Sequence, residues 1–234
     1  MGATGEACIS DVGIRHNQPD RQTTQQCVIV LGPGRSGTSM MSAILGQLGY
    51  NMGRRLDPAN HEDQDFLEAS RPISALRKKA HPERAQRLET IRQLVRRRDR
   101  EHEHWGWKDP MSAFYLDAVL PEIGNPLIIA LFRDVVATTV SRYKLSRTGL
   151  GGGSRRDMPS MDTVLGKVLA YQQRMINLLV DVPHPQYWVS YEKATRNREI
   201  FIDDLQVFLG RPISMAQRQA ISGLIAPGNR HALS

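Results

Sequence analysis

Cys27-Val28-Ile29-Val30-Leu31-Gly32-Pro33-Gly34-Arg35-Ser36-Gly37-Thr38-Ser39 is the stretch that decides the fold. Its first five residues make an uninterrupted, β-branched apolar run of the kind buried on both faces of a parallel sheet. The run breaks into glycine-rich sequence and resumes as Met40-Met41-Ser42-Ala43-Ile44-Leu45-Gly46-Gln47-Leu48-Gly49, with apolar residues at helical spacing and a terminal glycine. Strand, glycine-rich turn and helix open a βα unit. Such a turn presents backbone N–H groups to an anion, assisted by the helix dipole.

Gly32 to Gly37 fits G-x-x-x-x-G, the frame of the nucleotide-binding P-loop. That frame continues with Lys and then Ser or Thr, the Lys reaching the outer phosphates and the hydroxyl holding magnesium. Here Thr38 and Ser39 follow Gly37, and the basic residue comes earlier, at Arg35. A nucleotide hydrolase without the lysine lacks charge on the transferred group. The loop is therefore expected to hold a phosphate-bearing ligand in another arrangement.

Outward from the loop, Pro126 to Phe132 repeats the buried-strand pattern, and a helix is expected over 134–144. Short strands are expected at 105–108 and 187–190, and helices at 112–123, 161–182, 198–209 and 214–224. This alternation argues for an α/β fold, a three-layer sandwich with a mostly parallel central sheet. Residues 1–26 read as a poorly ordered tail and 27–234 as one domain. Residues 61–104 read as helical and basic, a solvated face rather than a nucleic-acid patch. The Gly- and Arg-rich segment 145–160 reads as a mobile loop or a lid over a second substrate.

Composition narrows the class. Of 234 residues, 40% are hydrophobic and 24% charged, which excludes a disordered chain, and no run of eighteen apolar residues is present to span a bilayer. A formal net charge of +7 points to an anionic partner without saying which. The two cysteines, Cys8 and Cys27, cannot form a disulfide framework; reduced thiols and a cytoplasmic location are expected. Clustered ligands at metal spacing are absent from the sequence, and no metal is expected.

Arg35-Ser36-Gly37-Thr38-Ser39 resembles the 5′-phosphosulfate loop of sulfotransferases that use 3′-phosphoadenosine 5′-phosphosulfate (PAPS), with Gly34 leading into it. A second element agrees: Arg133 follows the apolar strand, and Ser141 stands eight residues later on the next helix. In that family an Arg and a Ser so placed grip the cofactor 3′-phosphate, a forked charge and a hydroxyl. Val135 stands where the family often has Pro. Trp107-Lys108-Asp109-Pro110 resembles a Lys-Asp-Pro-Arg segment of bacterial members, with Met111 in place of the Arg. Trp188-Val189-Ser190-Tyr191-Glu192 resembles the strand that carries a Tyr-Glu pair, and Tyr191 is expected near the adenine.

The resemblance, over roughly 27–210, implies a P-loop-like fold and transfer of a sulfuryl group from PAPS to a hydroxyl or amine, releasing adenosine 3′,5′-bisphosphate (PAP). Arg35 and the amides of Ser36 to Ser39 would surround the phosphosulfate. The general base is expected at Glu62, then Asp109, then His61, with Lys108 binding the sulfuryl group or pairing with Asp109. The acceptor stays open among sugar, lipid-linked glycan, phenol, small metabolite and protein tyrosine. Two other readings compete: a degenerate P-loop kinase or nucleotide hydrolase, and a non-catalytic polyanion-binding protein using the basic stretch 77–100.

Overall fold

The computed structural model describes residues 7–17, 19, 24–58, 60–74, 82–147 and 159–225. Its strands, in chain order, are β1 (Cys8–Ile9), β2 (Gly13–His16), β3 (Gln26–Leu31), β4 (His104–Lys108), β5 (Pro126–Phe132) and β6 (Gln186–Ser190). The helices are α1 (Thr38–Gln47), α2 (Gln64–Ser70), α3 (Pro82–Glu101), α4 (Leu116–Val119) and α5 (Val135–Arg147), followed by α6 (Met161–Val180), α7 (Tyr191–Arg196), α8 (Arg198–Leu209) and α9 (Met215–Leu224).

The apolar runs lie at the middle of one sheet of order β1-β2-β6-β5-β3-β4. β6, β5, β3 and β4 are mutually parallel, whereas β1 and β2 join antiparallel at the β6 edge. Because side chains alternate across a strand, Val28 and Val30 face one layer and Cys27, Ile29 and Leu31 the other. The first layer holds α1, α8 and α9, with Ile44, Phe201, Leu205 and Ile221 in its core. The second holds α2, α3, α4 and α6, where Phe66 stacks on Trp107 at 4.5 Å. The expected three-layer α/β sandwich is thus the observed one.

Register then places the chemistry. Val30 lies opposite Lys108, Leu31 opposite Ala130 and Phe132 opposite Ser190. Four parallel strands therefore end on one edge, and the residues just beyond them are Gly32, Asp109, Arg133 and Tyr191. From β3 the chain goes first to β4 on one side and then to β5 on the other, the switch point at which open α/β sheets bind ligands.

The N-terminal expectation is corrected. Within the supposed tail, β2 pairs with β6 from Gly13 opposite Val189 to His16 opposite Gln186, and Val12 is fully buried. Arg15 lies 3.5 Å from the carboxylate of Asp204, which also accepts hydrogen bonds from Ser10 and, at 3.2 Å, from Tyr187. The signal is missing from sequence because the strand is four residues long and mixed in polarity; its stability comes from tertiary partners. Deleting residues 1–17 strips the β6 edge and leaves Asp204 without its cation. Thermal unfolding is expected to show a loss of about 3 kcal/mol, roughly 6–12 °C in Tm. An unchanged Tm would restore the segment to a tail.

Two helical expectations are also revised. Residues 112–123 break into Ser112–Phe114 (3-10), α4 and Leu120–Glu122 (3-10), with Pro121 denying the last turn a backbone donor. The stretch 61–104 divides into α2, a 3-10 turn at Arg71–Ser74 and α3, which begins at Pro82, a favoured first helical residue. Among the described residues, no helix is long and apolar enough to cross a membrane.

Candidate active site

The glycine-rich loop closes tightly on itself. The Ser36 amide donates to the Pro33 carbonyl at 3.0 Å, making a turn whose third residue is Arg35. Arg35 has φ 76°, in the left-handed region that normally favours glycine. The Ser36 side chain is fully buried against Gly32, where an added Cβ would stand 2.4 Å from its Oγ. Gly37, at φ 98°, starts α1 without a side-chain cap. The first amides of α1, from Thr38 and Ser39, are thus the open donors that a helix start offers an anion. Of the amides expected to face the ligand, that of Ser36 is engaged inside the loop.

The second anchor sits directly beside the first. Arg133, just past β5, donates from Nη1 to the Arg35 carbonyl at 2.7 Å, and Arg35 Nε donates to Ser141 Oγ at 3.1 Å. The Arg133 guanidinium lies 4.7 Å over the Tyr191 ring, and its Nε is 3.7 Å from Glu192. That Nε is enclosed with no hydrogen-bond partner. Asp134 does not pair with Arg133; its side chain caps α5 by accepting from Ala137 N at 2.7 Å. Tyr191 opens α7 rather than ending the strand, and a Cβ on Gly37 would meet its ring at 2.4 Å. The ring therefore supports both the loop and Arg133.

The base candidates divide by geometry. Lys108, buried at the end of β4, donates to Glu62 Oε1 at 3.0 Å and to the Asn60 carbonyl at 2.8 Å. The same carbonyl accepts from Ser39 Oγ at 2.7 Å, so the Glu62 segment is tied to the first turn of α1. Burial lowers the Lys108 pKa, and Glu62 pulls it back up. His61 is 5% exposed, and at φ 53° its carbonyl accepts from Ser42. Asp109, 1% exposed, accepts from Met111 N at 2.8 Å and from Tyr115 OH at 2.9 Å, and burial raises its pKa. Lys108 pairs with Glu62, not with Asp109.

Sequence reasoning missed Arg98. Inside a run that reads as a solvated face, it is fully buried, 2.9 Å from Asp63 and 3.1 Å from Asp65. Asp63 follows Glu62 directly and caps α2 by accepting from Asp65 N at 3.0 Å. Burial pushes the Asp63 carboxyl up from the ordinary range, and Arg98 pulls it back. Arg98→Met leaves that carboxylate buried and unpaired, an expected loss of about 3 kcal/mol in denaturant unfolding. The loss should shrink as pH falls, because a protonated Asp63 needs no cation. Equal loss at all pH values would refute the pairing argument. The neighbouring Arg92 and Arg96 do lie at the surface, within ion-pair distance of Glu89 and Glu122. Arg77, Lys78 and Lys79 lie outside the described residues, as do residues 148–158 of the 145–160 segment read as a mobile loop or a lid.

A mostly parallel sheet with a glycine-rich strand-to-helix loop at its switch point, and Arg133 and Ser141 on the neighbouring βα unit, defines a P-loop-like fold without the P-loop lysine. A sequence model of the sulfotransferase family matches residues 27–215, and the chain belongs to that family. Solved structures share the fold at low identity. Sulfotransferase STF1 from Mycobacterium tuberculosis H37Rv is 16% identical with a TM-score of 0.59, over 85% of this chain and 71% of that one. STF9 from Mycobacterium avium is 14% identical at 0.53, over 90% and 71%. Mouse sulfotransferase SULT7A1, complexed with PAP, is 12% identical at 0.50, over 89% and 66%. A search of curated proteins gives no match.

Proposed function

We propose that this sulfotransferase takes PAPS as donor, transfers its sulfuryl group to an acceptor hydroxyl or amine, and releases PAP. The observation that carries the reading is the contact of the two anchors: Arg35 between Arg133 and Ser141, at 2.7 and 3.1 Å. The residues fit a ligand with two separate phosphates. The open amides of Thr38 and Ser39 with Arg35 suit the 5′-phosphosulfate, and Arg133 with Ser141 suits the 3′-phosphate. The Arg35 carbonyl and Glu192 hold the Arg133 fork in place ahead of such a ligand. Bound PAPS supplies an activated sulfuryl group, whose bond to the 5′-phosphate breaks as the acceptor oxygen attacks in line.

The rest belongs to the chain. Arg35 stabilises charge developing on the departing phosphate. Glu62 takes the acceptor proton, and Lys108 holds its carboxylate in place. Asp109 is a positioning residue, fixing the end of β4 through Tyr115 and the Met111 amide. Tyr191 carries Arg133 and the loop; the adenine need not reach it. The acceptor class is open among sugar, lipid-linked glycan, phenol, metabolite and protein tyrosine. Cytoplasmic location is supported by the free thiols of Cys8 and Cys27. A nucleic-acid partner is disfavoured because Arg92, Arg96 and Arg98 of α3 are matched by acids. The domain is taken to include β1 and β2 together with 27–234.

Calorimetry of the wild type with PAP tests the donor, and absence of binding would refute it. Incubation with PAPS and panels of acceptors, read by mass spectrometry for an added sulfuryl group, identifies the acceptor.

A further inference from the structure

Arg142 follows the anchor residue Ser141 on α5, yet it serves a different place. Consecutive helical residues point about 100° apart, so the two side chains diverge. The Arg142 Nη1 reaches to 3.9 Å from where a Cβ on Gly34 would stand, at the first half of the phosphate loop. The side chain is partly buried, and burial lowers its pKa. None of the ion pairs among the described residues includes it, whereas Arg35 and Arg133 are both held by hydrogen bonds. Among the described residues, that guanidinium with its five donors has no carboxylate at ion-pair distance.

Beside it stands Tyr171 of α6. Its hydroxyl is enclosed, faces the Gly32 amide and donates to no acceptor. The carboxylate that acts on Tyr171, that of Asp109, is already engaged by Tyr115 and the Met111 amide. One turn further along α6, Arg174 donates to the Ala113 carbonyl at 2.7 Å and stacks on Phe114, adding positive charge to the same wall. An unpaired cation and an unmet hydroxyl donor at the start of an anion-binding loop have one chemical complement, an oxyanion.

We propose that Arg142 and Tyr171 form a third oxyanion subsite, separate from the two phosphate anchors, that takes a sulfonate-type group. The group is either the sulfuryl of the donor or an anionic substituent carried by the acceptor. The inference rests on the PAPS reading, and its test separates the two. Inorganic sulfate is titrated into the enzyme saturated with PAP, whose two phosphates fill the anchors. The wild-type complex is expected to bind sulfate, and Arg142→Ala to weaken that binding at least tenfold with PAP affinity unchanged. Tyr171→Phe should act in the same direction, and Lys144→Ala, an exposed change on the same helix, should have no effect.

PAPS itself then assigns the source. A selective loss of PAPS affinity over PAP in Arg142→Ala places the donor sulfuryl in the subsite; an unchanged ratio places an acceptor anion there. Equal sulfate binding by wild type and Arg142→Ala overturns the proposal, as does a parallel loss of PAP affinity, which would make Arg142 part of a phosphate anchor. Failure of the wild type to bind PAP at all would instead remove the donor reading.

Discussion

Arg133→Ala is expected to weaken PAP binding by about three orders of magnitude while leaving the protein folded. Three consequences of the one side chain add up. Its fork on a phosphate is lost, and removing one partner of such a charged pair costs about 2–5 kcal/mol. Its Nη1 no longer holds the Arg35 carbonyl, the contact that fixes a residue in left-handed conformation. The cation over Tyr191 also disappears, leaving Glu192 facing the anchor as an uncompensated negative charge. At about 1.4 kcal/mol per tenfold, a combined loss near 4 kcal/mol gives the thousandfold expected. Arg133→Lys should fall between, because a point charge replaces a fork. Calorimetry with PAP decides; less than a tenfold loss would place the 3′-phosphate elsewhere.

The second large effect is on rate. Glu62→Gln should lower kcat by about 10²–10⁴ with an acceptor found by screening, the range a positioned general base supplies. PAP affinity should stay within about twofold, since no hydrogen bond joins Glu62 to the loop directly; the link runs through Asn60. Asp109→Asn makes the contrast. Its oxygens are taken by Met111 N and Tyr115 OH, so the change should lower thermal stability more than turnover. If Asp109→Asn removes the rate and Glu62→Gln does not, the base is Asp109.

The fold was legible where local chemistry and tertiary fate coincide. Val28 to Leu31 is apolar at every position because both sheet faces are covered, and a glycine-rich break had to follow for the chain to turn into α1. Arg133 and Ser141 stood out only through the resemblance to the sulfotransferase pattern; that both reach Arg35 is a tertiary contact that no local spacing displays. Glu62 stood in the sequence as the first of three base candidates; its contact with Lys108 joins residues 46 apart and was not visible there. Arg98 was not legible. It stands among surface arginines, and its partners Asp63 and Asp65 come from another helix start, so nothing in its own neighbourhood marks burial. The β2 strand was missed for the same reason, its support being β6 and Asp204, far along the chain. The packing of the Tyr191 ring on Gly37 was not visible in the sequence, since it depends on two loops meeting.

The left-handed backbone at Arg35 sets two demands on one codon. Conformation alone would admit Gly, Asn or Asp there, and charge alone would admit Arg or Lys, so no residue satisfies both without compromise. In a saturation library selected for turnover, position 35 should therefore retain Arg with Lys as the main survivor. The same library sorted only for folded protein should drift toward Gly and Asn. The two selections would pull one position in opposite directions, a conflict that neighbouring Gly37, required by both backbone and Tyr191, does not face.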